Sequence, residues 1–367
     1  MADLIQFISE DPAAAVAELK AVLEEELNRQ IAPADVEMLL INAFAYREGV
    51  LRAAVNDAAR LSLVRFSRGV ALEELGRLVG VNRLPASRAL VSLQFQIIAG
   101  HTGITIPQGL RVQSTDGKAM FETMEAVVVS PGTYAATVSA ACASAGLVGN
   151  GYGLNTINII LDPKPYLMGV QNIDLSSGGA DQETDDKLRE RIELAPSSFS
   201  VAGPKDAYKF FAKSASSSIA DVAVTSPVPG QVNIYPLLNG GALPTEALLD
   251  QVYAICNSEK IRPLTDTVVV DSPTVQEYAI NVELTVLTNA VNLGIDVQAQ
   301  AALQAWVDAR KSRMGIDVVK ARLQSLSMVE GTYNADVVSP ASDIVVSEEV
   351  YTKCTGITVS IMGTHDE

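Results

Sequence analysis

The chain is poor in the residues from which most catalytic sites are built. Among its 367 residues there are two histidines, three cysteines and one tryptophan. His101 sits in a glycine turn and His365 lies two residues before Glu367, so neither a histidine-based triad nor a histidine-rich metal site is expected. Cys142, Cys256 and Cys354 are far apart and odd in number, which gives neither a disulfide framework nor zinc spacing. They are expected to be buried as small apolar side chains. Charge is also scarce, at 19% of residues, against about 25% in ordinary globular chains. What charge there is runs acidic, to a formal net −16 at pH 7. Lys209–Lys213 and Arg310–Arg313 are short, isolated basic clusters, so direct contact with nucleic acid or an anionic membrane is not expected. Met1-Ala2-Asp3 shows no basic, apolar leader, and no apolar run reaches the ~18 residues of a membrane span. Assembly in the cytoplasm is the expectation. A Gly-x-Ser-x-Gly elbow and a Walker A loop are both missing. Gly149-Asn-Gly151-Tyr-Gly153 is glycine-rich, but its third glycine falls one residue early for a dinucleotide fingerprint. No cofactor and no metal are expected.

Apolar residues are plentiful, at 48%, and the length suits two or three domains of about 100–200 residues each. Residues 12 to about 88 read as helical. A first helix contains Glu18–Glu26 and fades near Ile31-Ala32-Pro33. Ala34-Asp35 then opens a long segment that is expected to reach about Phe66. In it Val36, Leu40, Ala43, Phe44, Arg47, Val50, Leu51, Ala54, Ala58 and Leu61 recur at three- and four-residue steps. Met38, Ile41, Ala45 and Val55 add apolar groups on other faces. Such a helix is about 50 Å long, and being apolar on more than one face it needs neighbours on more than one side. A third helix, Leu72–Val79, ends at Gly80.

Near Ser87 the periodicity changes. Residues 89–98 alternate with period two, as a strand does. Short strands are expected at Ile104–Ile106, Arg111–Ser114, Met120–Thr123, Ala126–Val129 and Tyr134–Ser144, up to the glycines of Gly146–Gly153. From residue 176 the pattern is mixed. Helices are expected at Asp181–Leu194, from Gly203-Pro204 to Ala215, from Pro244 to Ser258, at Asp296–Arg313 and at Asp317–Leu326. Strands are expected at Asp221–Thr225, Gln231–Leu238, Asp266–Val270, Glu277–Leu287, Asn334–Val338, Ile344–Val346 and Ile357–Ile361. Three strands run into Ser-Pro, at Pro227, Pro273 and Pro340, with spacing too uneven for a solenoid. Two related strand–helix–strand units fit that pattern. The whole reads as an α+β multidomain chain: an N-terminal long-helix arm (1–88), a central β-rich domain (89–175), and C-terminal mixed α/β units (176–273 and 274–367).

One group of residues invites a chemical reading. Asp181, Glu183, Asp185 and Asp186 cluster just after Gly178-Gly179. An acid-pair hydrolase or a cation site uses carboxylates in this way. Helix capping and a solvated acidic turn use them equally well. A surface- or carbohydrate-binding β-module is a further alternative, but it calls for exposed aromatics. Aromatics total 5%, and Trp306 falls inside an expected helix.

The stretch Ser177-Gly-Gly-Ala-Asp-Gln-Glu-Thr-Asp-Asp-Lys-Leu-Arg-Glu-Arg-Ile192 resembles the signature of baseplate J-like proteins of contractile phage tails. Gly178, Gly179, Asp181, Glu183, Asp185, Asp186, Leu188, Arg189 and Arg191 carry the resemblance. Further pieces are similar to family landmarks in the same order. They are Ile106–Val112 with Phe121-Glu-Thr123, Ala145–Asn150, Ala202-Gly203 with Ala207-Tyr208, Pro229–Ile234 and Arg262–Asp266. The resemblance covers about residues 70 to 340. It implies a non-enzymatic wedge component of a virion's tail baseplate, in a ring around the central hub and spike. It further implies contacts with other copies of the chain through the C-terminal domains, and with hub, spike and sheath-initiating proteins. A second wedge protein would bundle with the N-terminal helices, and the assembly would switch shape to trigger sheath contraction. The face of the long helix bearing Val36, Leu40, Phe44, Arg47 and Leu51 is the expected docking face. Gly-Gly and Ser-Pro junctions are candidate hinges. Arg189 and Arg191 are expected to pair with acids, within the fold or across an interface.

Overall fold

Apolar periodicity, caps and turn glycines place the elements of the computed structural model, which describes residues 5–200, 203–291 and 293–366. Met1, Ala2, Asp3 and Ala202, used above, lie outside the described residues. The chain divides into two units. Residues 1–82 with 188–193 form one, and residues 83–187 with 194–367 form the other. With its N-terminal helices, a nearly closed central sheet, and C-terminal sheets packed with helices, the protein is an α+β multidomain chain.

In the first unit, α1 (Pro12–Leu27) starts where the Asp11 carboxylate accepts from the Ala13 amide at 2.9 Å. It stops at Asn28, whose left-handed backbone turns its N–H onto the carbonyls of Glu24 and Glu25. α2 (Val36–Arg60) has 25 residues, about 38 Å. The expected run to Phe66 is too long. After Arg60 the chain turns, and the Ser62 hydroxyl takes the Ala59 carbonyl at 2.7 Å. The inner face of α2 is Ile41, Ala45 and Asn56, and Arg52 bridges Glu48 to Glu18 of α1. Asn56 has no exposed surface; its amide accepts from the N–H groups of Phe7 and Ile8 at 2.8 and 3.0 Å and donates to the Ile8 carbonyl at 2.8 Å. α3 (Gly69–Leu78) closes at Gly80, where φ is +75°.

The second unit opens with eight strands. They are β1 (Arg88–Ile97), β2 (Ile104–Ile106), β3 (Arg111–Ser114), β4 (Met120–Thr123), β5 (Val127–Val129), β6 (Ala135–Ala145), β7 (Ile157–Ile160) and β8 (Leu167–Asn172). Six of them form a sheet in the order β7-β3-β4-β6-β1-β8, while β2 and β5 pair with each other. On β1, Ala89, Val91, Leu93, Phe95 and Ile97 all point into the core. The sheet curls back on itself through buried Asn172, whose side chain accepts from the Ile157 amide at 2.9 Å. Sequence patterning did not resolve β7 or β8. On β3, the Arg111 guanidinium and main-chain N–H all converge on Asp162. Those bonds hold the Asp162 carboxyl down at about 2.

Helix α4 (Asp185–Leu194) follows. It begins four residues later than expected, and Asp181–Thr184 is a loop. Then come α5 (Lys205–Lys213), β9 (Ile219–Thr225), β10 (Gln231–Leu238), α6 (Glu246–Cys256) and β11 (Thr267–Val270). Their sheet runs β11-β10-β9, with β10 parallel to β11 and antiparallel to β9. The final layer is β12 (Thr274–Leu287), α7 (Ile295–Asp308), α8 (Lys320–Ser327), β13 (Thr332–Ser339) and β14 (Val350–His365), in the order β13-β12-β14. The two strand–helix–strand units therefore differ. α6 connects parallel strands, whereas α7 and α8 connect the antiparallel pair β12 and β13. Ile344–Val346 is not a strand; only an isolated bridge from Ile344 to Val318 forms there. The strand expected at Ile357–Ile361 is the middle of the 16-residue β14, which runs parallel to β12. Between the two C-terminal layers, Ala223, Leu237, Met314 and Tyr351 share a cluster, and the Met314 amide donates to Asp221 at 2.9 Å. Among the described residues, no helix is long and apolar enough to cross a membrane.

Candidate functional site

The glycine–acid signature is drawn together with two distant loops of the second unit. Gly178 has φ +87°, a conformation that L side chains resist, and its carbonyl accepts from the Ser87 hydroxyl at 2.8 Å. Gly179 faces Asn150. The Asn150 amide donates to the Gly179 carbonyl at 2.7 Å, and its oxygen accepts from the Gly179 N–H at 2.9 Å. A Cβ at 179 would run into the Gly146 carbonyl and come within 2.9 Å of the Asn150 oxygen. Two family landmarks that are separate in sequence, Ala145–Asn150 and the signature, are thus one packed turn.

The carboxylates in this turn serve main-chain donors and an arginine. Asp181 accepts from the Leu147 amide at 3.2 Å. Glu183 is 4% exposed and accepts from the Leu84 amide at 2.9 Å. Arg83 donates to the Glu183 carbonyl at 2.7 Å and to the Asp185 carboxylate at 2.5 Å. The solvated acidic turn is corrected in part by these contacts, at Glu183, while Asp181 stays exposed. Asp181 and Glu183 precede the helix, and Glu183 is buried. Asp185 and Asp186 do lie in the first turn of α4, where negative charge suits the helix dipole, and Asp186 is exposed. Sequence reasoning missed Arg83 and Lys187. Lys187 donates to the carbonyls of Ser217 and Ile219 and to the Asn239 side chain. Both are single cations whose partners lie far along the chain, so no local pattern marks them.

The later signature residues belong to the first unit. Leu188 and Ile192 are buried. Arg189 donates to the carbonyls of Val64 and Ser67 at 3.0 and 2.8 Å, and Arg191, 4% exposed, donates to the Asn82 carbonyl at 2.6 Å. These bonds lie within one chain and end on main-chain oxygens. The signature therefore splits by position: its glycines and first acids order one unit, and its Leu-Arg-x-Arg-Ile end completes the other.

The other candidate surface is the outer face of α2. Val36, Leu40, Phe44 and Leu51 are all more than half exposed, Phe44 at 63%, and Arg47 is exposed beside them. Leu39, Tyr46, Val50 and Val55 extend the same exposed apolar surface. The residues that α2 buries inside its own unit are Ile41, Ala45 and Asn56 instead.

The histidines are occupied separately. His101 is buried against the Thr133 carbonyl at 3.0 Å, and His365 stacks flat on Tyr333 at 3.8 Å between ring centres. Trp306 lies in α7 beneath Arg310, whose guanidinium is 3.9 Å from the ring centre. Among the described residues, no three histidine, cysteine or acidic side chains are grouped so as to hold a metal ion.

Four family models match the chain in order. Residues 34–89 match the Baseplate J-like N-terminal domain, and residues 92–179 the Baseplate J-like protein barrel domain. Residues 200–272 match the Baseplate J-like central domain, and residues 278–360 the Baseplate J-like protein C-terminal domain. Baseplate protein J of Escherichia phage P2 is 33% identical over 186 residues, a match that takes in 50% of this chain and 61% of that protein. A chain of the anti-feeding prophage (AFP) baseplate, solved by cryo-EM with 6-fold symmetrisation, covers 93% of this chain with 90% of its own length. It does so at 13% identity and a TM-score of 0.46.

Proposed function

Because this chain belongs to the baseplate J-like family, we propose that it is a structural component of a phage-type tail baseplate and carries no catalytic activity. In this reading the chain is a wedge component in a ring around the central hub and spike. It contacts hub, spike and sheath-initiating proteins and takes part in the shape change that triggers sheath contraction. Its place is the virion's tail baseplate, assembled in the host cytoplasm. The chain works as four parts with boundaries near residues 88, 175 and 273. Helix α2 docks onto a second wedge protein through Val36, Leu40, Phe44, Arg47 and Leu51, and the C-terminal part pairs with further copies of the chain.

The exposed apolar face of α2 carries the reading. A helix whose buried residues are Ile41, Ala45 and Asn56 leaves a contiguous apolar surface open, and such a surface marks a protein contact. The signature carboxylates support a structural role, because Asp181, Glu183 and Asp185 each hold a named donor of the fold. The sugar-binding alternative is disfavoured by Trp306, whose indole nitrogen is buried and whose face is taken by Arg310.

Co-expression with the neighbouring wedge protein tests this. The full chain should co-purify with it, and Leu40→Glu with Leu51→Glu should abolish that while the lone chain still folds. Undiminished co-purification of this variant would remove α2 as the docking element.

A further inference from the structure

The C-terminal sheet ends in an open edge. β14 pairs with β12 along its length and, among the described residues, with no other strand. Its first residues are covered, since the Gly315 amide donates to the Val350 carbonyl and the Thr352 hydroxyl to the Ile316 carbonyl. Beyond them, among the described residues, the main chain of 357–365 has no hydrogen-bonding neighbour except β12. Edge strands are usually protected by proline, by charge or by brevity. β14 has 16 residues and no proline. Residues 354–364 carry no charge, and its one lysine, Lys353, is held by Glu277 at 2.8 Å. Bulges at Thr355 and Met362 bracket a regular segment.

That segment, Ile357-Thr-Val-Ser-Ile361, reads nearly the same in both directions about Val359. Ile357, Val359 and Ile361 face the core under α7 but are only partly buried. At an inner strand, alternate apolar residues of this kind are covered from both sides. Here one side is missing.

We infer that β14 is a self-pairing edge, through which two copies of the chain join their C-terminal sheets antiparallel about Val359. This rests on the self-association proposed above and names the surface that makes it. A two-fold contact presents the same patch from both copies, so a strand that matches its own reverse is suited to it. Pairing about Val359 lays Ile357 against Ile361 of the second copy, Val359 against Val359, and Thr358 against Ser360. The three apolar side chains of each strand then complete one another's cover. The open N–H and C=O groups pair, and the two three-stranded sheets become one. No like charges meet within the segment.

Two variants of the full chain test the inference. The first is Val359→Cys in a Cys354→Ser background. Residues directly opposite in an antiparallel pair have Cα atoms about 4.5–5.5 Å apart, within disulfide reach. Oxidised glutathione should therefore give a covalent dimer linked 359 to 359. The second is Thr358→Lys with Ser360→Lys, on the face away from α7. Glu283 lies beside Ser360 on β12 and accommodates the new charge within one chain, but across the two-fold axis lysine meets lysine. Dimer affinity, measured by sedimentation or light scattering, should fall about tenfold with the melting temperature held. If the chain dimerises, resists the lysines and gives no 359–359 disulfide, edge pairing is overturned and self-association stands. If it stays monomeric at every concentration and gives no disulfide, both are overturned.

Discussion

Asn150 and Gly179 are joined by two hydrogen bonds running in opposite directions, 2.7 Å from the side-chain amide and 2.9 Å back to its oxygen. A pair of antiparallel backbone residues exchanges bonds in the same way; here one partner is a side chain. The arrangement requires glycine at 179, because a Cβ there meets the Gly146 carbonyl, the Asn150 oxygen and Ala89. Gly179→Ala should cost about 1–3 kcal/mol, read from denaturant melts. Gly178→Ala has open space around it but keeps its φ of +87°, and the backbone alone should cost about 1–2 kcal/mol. Equal, negligible effects at both positions would mean that the turn is not packed as described.

Asn56 pins residues 7 and 8 to α2 with three bonds to main chain. Asn56→Ala strands two amides and a carbonyl, so a loss of about 2–3 kcal/mol is expected. Proteolysis should follow, with residues 5–10 cut first. Resistance equal to that of the parent chain would contradict the assignment.

Phe44 and Ile41 sit three residues apart on opposite duties. Ile41 is 2% exposed, and Ile41→Ala should destabilise the lone chain by about 2–5 kcal/mol. Phe44→Ala should change the lone chain by less than about 0.5 kcal/mol yet weaken assembly with the second wedge protein. Differential scanning of the lone chain, beside a pull-down, separates the two. A large drop in melting temperature for Phe44→Ala with assembly intact would sink the docking role.

Acid should loosen the barrel through Asp162. Its carboxyl is held at about 2, below the 3.8 of a free carboxyl, by the Arg111 side chain first and the Arg111 amide second. A depressed carboxyl contributes in full above its unfolded value, and that contribution fades as pH falls toward the folded one. Asp162→Asn should therefore be less stable than the parent above about pH 4, and the gap should close by about pH 2. A gap independent of pH would place the effect elsewhere.

What sequence could show depended on whether a signal was local. β1 alternates because one face lies on the core, and Gln231–Leu238 was bounded correctly by the turn before it and Asn239-Gly-Gly241 after it. β7 was missed because Ile157-Asn-Ile-Ile160 does not alternate; it is placed by the side chain of Asn172, from another strand. Gly356 and Gly363 resemble strand breaks, yet each follows a bulge in one continuous strand. The acids at 181 and 183 resembled a helix start because nothing nearby reveals that Leu147 and Leu84 claim them. The apolar stripe of α2 was legible because it repeats at helical spacing. That Ile41 and Ala45, and not the stripe, face inward was settled only by α1.

The first unit is not continuous in the chain. Its helices come from residues 1–82, but it also takes in Leu188, Arg189, Arg191 and Ile192, and Arg191 reaches back to the Asn82 carbonyl. During synthesis, the arm therefore leaves the ribosome before the strip that completes it has been made. All eight strands β1 to β8 are translated in the interval. A chain stopped anywhere before residue 188 carries an arm that lacks Leu188 and Ile192 in its core and the arginine bonds to Val64, Ser67 and Asn82. The unit that bears the exposed face of α2 is finished only after the strands of the second unit's β-domain have been made, so fragments released early carry that face on an incomplete core.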